Sequence, residues 1–246
     1  MNLLNSFGNN IRVCVIGSSG GLGNAFVQTL EKEDNIESIF AMSRKRSAIY
    51  GHKVEHINID LEDEESIIRA SEQIDPKTID LVIVATGILQ NSDVTAEKRI
   101  SQIDSDAILK VFKINAVGPM LVMKHFLKLI NPSSRSIFAF LSAKVGSISD
   151  NQLGGWASYR TSKAALNMLI KTASIETKRT HPNCITVTLH PGTVNTNLSK
   201  PFQRGVPSDK LFSPEYAVEN LLNVIDNLSE ENIGQFISWD GELLKF

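Results

Sequence analysis

The chain has 246 residues, a formal net charge of −2, 42% hydrophobic residues and two cysteines. This composition is typical of a soluble globular protein, and the length fits one large α/β domain or two smaller ones. The near-neutral charge offers no basic surface for nucleic acid, and no apolar stretch approaches the ~20 residues that cross a bilayer. The first residues lack the pattern of a signal peptide, so we expect a cytoplasmic protein that binds neither nucleic acid nor membrane.

Strand-like and helix-like patterns alternate along the whole chain. The apolar runs that predict strands cover residues 11–16, 36–42, 54–59, 79–85, 136–141, 183–189 and 234–238. Helical spacing of apolar residues predicts helices over residues 22–33, 62–74, 104–130, 157–179 and 214–228.

The predicted strands are apolar at nearly every position, which indicates a sheet that helices cover on both faces. Strands that alternate with helices are joined by right-handed crossovers. The pattern therefore predicts an α/β fold, a doubly wound parallel sheet of the Rossmann type with about seven strands. No repeat or linker divides the sequence, so we expect a single domain over residues 1–246.

A glycine-rich turn directly follows the first predicted strand. It reads Gly17-Ser18-Ser19-Gly20-Gly21-Leu22-Gly23 and leads into a helix. Glycine allows the backbone to turn sharply and to approach a pyrophosphate, and the N-terminus of the helix offers free N–H groups. The turn therefore predicts a dinucleotide site; the alternative is a tight strand-to-helix turn that binds nothing.

The end of the second strand distinguishes between two dinucleotides. An acidic residue there would bind the ribose 2′-hydroxyl of NAD, whereas an arginine accommodates the 2′-phosphate of NADP. This sequence has no carboxylate at that point, and Ser43 is followed by Arg44, Lys45 and Arg46. We therefore favour NADP(H) over NAD(H), with Ser43 and Arg44 as the phosphate contacts. The alternative is a basic loop that faces solvent.

Tyr159 and Lys163 stand four residues apart at the start of the long helix predicted after the fifth strand. Residues with this spacing share a helix face, so the ammonium can approach the phenol. A nearby cation stabilises the phenolate and lowers the pKa of a tyrosine from ~10 towards neutrality. Such a phenol is suited to act as the general acid or base for a carbonyl or alcohol group.

Over residues 11–241 the sequence resembles the short-chain dehydrogenase/reductase family. The resemblance rests on motifs in the family's order: the turn at 17–23, Asp60-Leu61, Asn115-Ala-Val-Gly118, the Tyr159 and Lys163 pair, and Pro191-Gly192-Thr-Val-Asn-Thr196. It implies an oxidoreductase that acts on a small carbonyl or alcohol substrate, and with the basic residues after Ser43 we expect its cofactor to be NADPH. It also implies a homodimer or homotetramer, formed through the long helices.

The resemblance implies roles for individual residues. Tyr159 would pass the proton, and Lys163 would bind the nicotinamide ribose and lower the pKa of the phenol. Asn115 would hold a helix kink and a water in the proton relay. Besides the turn at 17–23, the cofactor contacts would include Asp60, Leu61, Ala85, Thr86, Gly87, Pro191, Gly192, Val194 and Thr196.

The sequence departs from the family where a serine usually polarises the substrate carbonyl. Alignment on Gly146 places Ala143 at that position, and Ser142 and Ser147 are the nearby hydroxyl groups. We assign the role to Ser142. Residues 150–156 are similar to the subgroup of cell–cell signalling proteins around C-factor. This similarity favours, as an alternative function, a dinucleotide-binding signalling protein with little or no turnover.

Residues 195–215 are expected to form the substrate loop, and their apolar side chains favour an apolar carbonyl substrate. Two residues near the expected site each have two interpretations. His190 is interpreted as structural or pocket-lining rather than catalytic, and Trp156 either stacks on a ligand or anchors its loop. The histidines and cysteines lack the spacing of metal ligands, so we predict no metal site. A sugar epimerase of the extended relatives is disfavoured, because such chains carry a further substrate domain.

Overall fold

A computed structural model describes residues 3–46 and 51–246 of the chain. Within these residues the strands are β1 (Ile11–Ile16), β2 (Ile36–Ser43), β3 (Val54–Asn58), β4 (Leu81–Val84), β5 (Ser136–Leu141), β6 (Cys184–His190), β7 (Thr193–Val194), β8 (Leu211–Phe212) and β9 (Phe236–Ser238). Seven of them form one parallel sheet in the order β3-β2-β1-β4-β5-β6-β9. The predicted doubly wound parallel sheet is therefore confirmed.

The helices that flank the sheet are α1 (Gly21–Leu30), α2 (Glu64–Ser71), α3 (Ser105–Phe112), α4 (Gly118–Phe126), α5 (Ala157–Thr180) and α6 (Pro214–Asn227). Their bounds differ from the predicted ones by a few residues at most ends, where helices fray and apolar spacing gives little information. No helix within residues 3–46 or 51–246 is both long and apolar enough to cross a membrane.

The helix predicted over residues 104–130 is interrupted. Helix α3 ends at Phe112, a π-helical turn covers Lys113–Val117, and α4 begins at Gly118. The turn carries Asn115, whose side chain makes hydrogen bonds outside its own helix. A Cβ on Gly118 would lie 2.8 Å from the Leu61 Cβ, so α4 approaches the segment after β3 too closely for a side chain there.

Two apolar cores lie on the two faces of the sheet. Helices α1 and α6 pack on one face through residues such as Phe26 and Leu221. Helices α2, α4 and α5 pack on the other through residues such as Ile67, Val122 and Ile170. The strands supply buried side chains to both cores, which explains why they are apolar at successive positions.

The strand order reverses between β1 and β4. In open parallel sheets ligands bind in the crevice beyond the carboxyl ends of the strands at such a reversal. The glycine-rich turn follows β1, and residues 85–87 follow β4, so both segments border this crevice. A second, two-stranded sheet pairs β7 with β8. This pairing brings together the two ends of the segment 195–210.

Candidate active site

The glycine-rich turn is packed against its neighbours on both sides. The backbone N–H groups of Gly17 and Ser18 donate to the Met42 carbonyl at 2.8 and 3.0 Å, which ties the turn to β2. Gly17 has φ +91°, and a Cβ on it would lie 2.9 Å from the Thr86 Cγ2. A Cβ on Gly23 would lie 2.1 Å from the Gly17 carbonyl oxygen. Any side chain at these two glycines would force the turn open.

Helix α1 begins without a side-chain cap. The side chains of Asp63, Asp104 and Ser213 cap helices α2, α3 and α6 by accepting N–H groups of the first turn. Helix α1 follows Gly20, which makes no side-chain cap hydrogen bond. The first N–H groups of α1 and the positive end of its dipole are therefore suited to an anionic group such as a pyrophosphate.

The segment after β6 lies against this helix N-terminus. A Cβ on Gly21 would lie 2.6 Å from the Thr196 Cγ2, so the Thr196 side chain touches the glycine-rich turn. Gly192 has φ +77°, and a Cβ on it would meet the Phe212 ring at 2.6 Å. The structure thus brings the predicted cofactor residues of the 17–23 and 191–196 segments together.

Ser43 and Arg44 differ in their availability to a ligand. Ser43 is 4% exposed, and its Oγ lies 3.2 Å from the Ser18 Oγ, 2.9 Å from the Lys45 carbonyl oxygen and 3.1 Å from the His56 Nε2. The side chain of Arg44 is 70% exposed, with Glu62 3.9 Å away. Arg44 is therefore free to turn towards a phosphate, whereas protein groups already occupy the Ser43 hydroxyl.

Asn115 connects the π-helical turn to the segment after β4 and to helix α5. Its Oδ1 accepts the Ile88 N–H at 2.7 Å, and its Nδ2 donates to the Ile88 carbonyl at 2.8 Å and to the Ser162 Oγ at 3.0 Å. The Ser162 hydroxyl in turn donates to the Tyr159 carbonyl at 2.8 Å. Asn115 is fully buried, so this network fixes the first turn of α5 relative to the end of β4.

Lys163 lies buried between Tyr159 and Gly87. Its Nζ is 5.9 Å from the centre of the Tyr159 ring and donates to the Leu141 carbonyl at 2.9 Å. A Cβ on Gly87 would lie 3.3 Å from this Nζ and 3.5 Å from the Asn115 Oδ1. The structure therefore places Lys163 and Asn115 beside Gly87, with the Tyr159 ring next to the Lys163 ammonium.

Burial dominates the electrostatics of this group of residues. It lowers the pKa of Lys163 to about 8 and raises the pKa of the Tyr159 phenol above its ordinary value. The spacing of Tyr159 and Lys163 predicts a lowered pKa for the phenol, but in the structure the loss of solvent raises it. Tyr159 is therefore a protonated phenol at neutral pH.

Ser142 directly follows β5, and its N–H donates to the Leu189 carbonyl at 2.7 Å. Its Oγ is buried and has no hydrogen-bond partner among the described residues. Ala143 has an extended backbone and packs in the apolar cluster that contains Tyr159. Ala143 therefore contributes apolar surface beside Tyr159.

An apolar wall borders Tyr159. Leu89 and Ala96 are buried against it, and the partly buried members of the cluster are Ala143, Val145, Trp156 and Phe202. The Trp156 and Phe202 rings meet edge to face with centroids 4.8 Å apart. Phe202 belongs to the predicted substrate loop, so this loop reaches the surroundings of Tyr159.

His190 holds the backbone after β5. Its Nδ1 accepts the Lys144 N–H at 3.3 Å, and burial lowers its pKa to about 4. It is therefore a neutral acceptor at pH 7. This arrangement fits the structural interpretation of His190.

Sequence reasoning missed two residues of this site. Ser162 links Asn115 to Tyr159, and Glu97 is a buried carboxylate that contacts Ser158. The spacing of Ser162, three residues after Tyr159, was a usable signal because it puts both on one helix face. Glu97 stands beside Lys98 and Arg99 in a polar loop, where nothing in the sequence indicates burial. Among residues 3–46 and 51–246 no group of three metal-ligating side chains is clustered.

Comparison with known proteins places the chain in a family. The model of the short chain dehydrogenase family matches residues 12–206. The chain is 33% identical to C-signal of Myxococcus xanthus over 142 residues, which cover 58% of this chain and 80% of that protein. It is 28% identical to 1-hydroxy-2-glutathionyl-2-methyl-3-butene dehydrogenase of a Rhodococcus species, over 95% of this chain and 99% of that one.

A solved structure matches the whole fold. The NADPH-bound carbonyl reductase from chicken fatty liver superposes with a TM-score of 0.85 at 25% identity, and the match covers 98% of this chain and 97% of that one. The described sheet and its flanking helices therefore have the same fold as that carbonyl reductase.

Proposed function

The chain belongs to the short-chain dehydrogenase family and is an NAD(P)-dependent oxidoreductase, and from this premise we propose that it reduces carbonyl compounds with NADPH. The observation that carries the proposal is the buried Tyr159 beside the Lys163 ammonium, which lies with Asn115 next to Gly87, at the reversal of strand order. The test is to incubate the purified protein with NADPH and a panel of aldehydes, ketones and quinones, and to follow NADPH absorbance. The same site run in reverse would oxidise the corresponding alcohols.

The residues present fit a nicotinamide dinucleotide. The uncapped N-terminus of α1 would bind the pyrophosphate. Because Gly17 and Gly23 have no side chains, the backbone of the turn can approach the pyrophosphate closely. The buried Thr86 Oγ1 beside Gly17 has no partner in the described part of the chain, which leaves it free for a ligand. Lys163, Val194 and Thr196 would hold the nicotinamide end. When bound, the reduced nicotinamide supplies the hydride.

The protein's own residues would manage the proton and the orientation of the substrate. Tyr159, protonated at neutral pH, gives its proton to the carbonyl oxygen as negative charge develops there. The Lys163 ammonium stabilises the phenolate left behind. Asn115, through Ser162, keeps the backbone of Tyr159 in place while this happens. The Ser142 hydroxyl, which has no partner among the described residues, is proposed to donate to the same carbonyl oxygen.

The proposed substrate is an apolar carbonyl compound. Leu89, Val145, Trp156 and Phe202 present apolar surface beside Tyr159. Phe202 lies in the loop at 195–215, which we propose as the substrate loop of one domain spanning residues 1–246. Burial of an apolar substituent against this wall contributes about 25 cal/mol for each Å² removed from water.

The first cofactor prediction concerns Arg44. Arg44→Asp should shift the ratio of kcat/KM for NADPH to kcat/KM for NADH towards NADH by about 100-fold, because a carboxylate repels the 2′-phosphate and binds a 2′-hydroxyl. Steady-state kinetics with both cofactors measure the ratio. Arg69→Asp is the matched control, since it makes the same charge change at an exposed site on α2. An unchanged ratio in Arg44→Asp would refute the proposed NADPH preference.

A second prediction concerns Ser142. If its hydroxyl orients the carbonyl, Ser142→Ala should lower kcat by about 100- to 1,000-fold, the usual loss when one hydrogen-bond donor to a developing oxyanion is removed. Ser147→Ala is the control, because the buried Ser147 hydroxyl is already paired with Ser149 and with the Asp150 N–H. Equal kcat in wild type and Ser142→Ala would show that reduction does not depend on the Ser142 hydroxyl.

A second candidate function is dinucleotide-dependent signalling without turnover. The similarity to C-signal and the Ala143 methyl beside Tyr159 favour it. NADPH binding measured by fluorescence, with no oxidation by any carbonyl in the panel, would support it over the reductase. The buried Tyr159 and Lys163 argue for the reductase, because a sensor has no need of an acid beside a cation.

We also propose that the protein forms a homodimer or homotetramer through its long helices. Leu109 on α3, Val117 in the π-helical turn, and Met168 and Ile175 on α5 are large apolar side chains that are exposed in the single chain. Their burial between copies would remove this surface from water. Light scattering of the purified protein measures the mass of the assembly.

A further inference from the structure

Glu97 is a buried carboxylate outside the proposed catalytic group. It lies in the loop between β4 and α3 and is only 4% exposed. None of the ion pairs of the described residues includes it. A carboxylate taken out of water without a cation must be stabilised by hydrogen-bond donors or dipoles. The structure shows where those donors come from.

Glu97 holds the beginning of helix α5 from two sides. Its carboxylate accepts the Ser158 N–H at 3.4 Å and the Ser158 hydroxyl, and its backbone carbonyl accepts the Trp156 N–H at 2.5 Å. These contacts lie on either side of Ala157, the first residue of the helix. Glu97 is 61 positions away from Ser158 in the sequence, so these are tertiary contacts. We call the hydrogen bonds of Glu97 to Trp156 and Ser158 the clamp.

Helix α5 has no cap of its own. The residue before it is Trp156, which makes no side-chain cap hydrogen bond, and its first turn contains no acidic residue. The chain also enters the helix in an unfavourable conformation, since Gly154, Gly155 and Trp156 have φ of +63°, +68° and +52°. A left-handed backbone is rare for a bulky residue and must be held by its surroundings. The negative charge of Glu97 at the positive end of α5 supplies the missing cap.

We propose that Glu97 is a positioning residue for the reaction: it fixes the first turn of α5 and thereby the Tyr159 phenol. Tyr159 directly follows Ser158, and Ala96, next to Glu97, packs in the apolar cluster with Tyr159. Loss of the clamp lets the helix entry relax from its left-handed conformation and displaces the phenol. A displacement of ~1 Å can lower the rate by up to ~100-fold when the reacting groups are otherwise intact. The inference rests on the proposed carbonyl reductase function.

The test compares kcat with NADPH affinity in Glu97→Ala, Glu97→Gln and Ser158→Ala. We expect Glu97→Ala to lower kcat by about 10- to 100-fold and to leave the Kd for NADPH within about twofold, because the clamp lies at the proton donor. Glu97→Gln keeps one hydrogen-bond acceptor and should recover most of the activity. Ser158→Ala combined with Glu97→Ala should lose no more than Glu97→Ala alone, since both changes remove the same contact.

Asp63→Ala is the matched control. Asp63 caps α2 by accepting the Glu65 N–H at 3.1 Å, so its loss removes a cap of the same kind at a helix that carries no proton donor. All assays are run well below the melting temperature of each variant. Asp63→Ala should lower the melting temperature with kcat unchanged. Wild-type kcat in Glu97→Ala, or an equal loss of kcat in Asp63→Ala, overturns the proposal.

Hydrogen exchange separates this inference from the proposed function. Amides of residues 156–162 should exchange faster in Glu97→Ala than in wild type or Asp63→Ala; equal exchange overturns the clamp. If none of the carbonyl compounds in the panel causes the wild type to oxidise NADPH, the proposed function fails. The clamp is then judged by hydrogen exchange alone. If Glu97→Ala does not fold, Ser158→Ala takes its place, and we expect it to lower kcat and leave the Kd for NADPH unchanged. Wild-type kcat in Ser158→Ala would overturn the proposal.

Discussion

Tyr159→Phe should abolish carbonyl reduction and leave NADPH binding intact. The substitution removes the phenolic proton and keeps the ring, which is packed against Leu89 and Ala96. General acid catalysis contributes about 10²- to 10⁴-fold, so we expect kcat to fall by that factor. The Kd for NADPH should stay within about twofold, because the hydroxyl adds at most one hydrogen bond to the bound cofactor.

The measurement is single-turnover NADPH oxidation alongside a fluorescence titration of NADPH binding. Tyr216→Phe is the control, since it removes a phenolic hydroxyl from a half-exposed tyrosine that packs on Phe212 and Trp239. It should have wild-type kcat. A Tyr159→Phe enzyme that keeps more than about a tenth of the wild-type rate would rule out Tyr159 as the acid, because its loss would then fall below the usual contribution of a general acid.

The strands were the most predictable part of the fold. Strand β5 begins and ends at the predicted residues, Ser136 and Leu141, because a continuously apolar run between polar segments has one interpretation in an α/β chain. Strands β7 and β8 have two residues each and, among residues 3–46 and 51–246, pair with one another, so no periodicity could indicate them. Short pairings of this kind depend on tertiary contacts.

The interruption between α3 and α4 shows a similar limit. Apolar spacing predicts one helix there, because a π-helical turn shifts the pattern by a single residue. What stabilises the turn is the pair of hydrogen bonds between Asn115 and the backbone of Ile88, which is 27 positions away. The family resemblance implies a helix kink at Asn115, but only the structure shows that the kink is a π-helical turn.

The residues of the site also fall into those that local spacing indicates and those that only a tertiary contact reveals. The Gly17 turn and the Tyr159 and Lys163 pair are visible in the sequence because their function depends on local spacing, and the structure brings them to one crevice. The clamp of Glu97 on Ser158 is invisible there, because it joins two segments through a buried contact. Ser43 is an intermediate case: its position was predicted, but the protein partners of its hydroxyl were not.

The Lys163 ammonium should be needed for reduction and should give the reaction its upper pH limit. Burial lowers the pKa of Lys163 to about 8, well below that of an exposed lysine. Above that pH the side chain becomes neutral and no longer stabilises the phenolate that Tyr159 leaves behind. We therefore expect kcat/KM for reduction to be constant near neutrality and to fall about tenfold per pH unit above about 8, since one proton is lost.

Lys163→Met removes the charge and keeps much of the buried apolar stem. We expect it to lower kcat by about 10²-fold or more at neutral pH and to abolish the fall of kcat/KM near pH 8. Lys178→Met, at an exposed position of the same helix, should keep both the rate and the pH profile of the wild type. A wild-type profile that continues flat to pH 10, or a Lys163→Met profile that still falls near pH 8, would mean that another group sets the limit. The kcat loss and the pH profile together distinguish a cation that acts on Tyr159 from one that only fills the space beside Gly87.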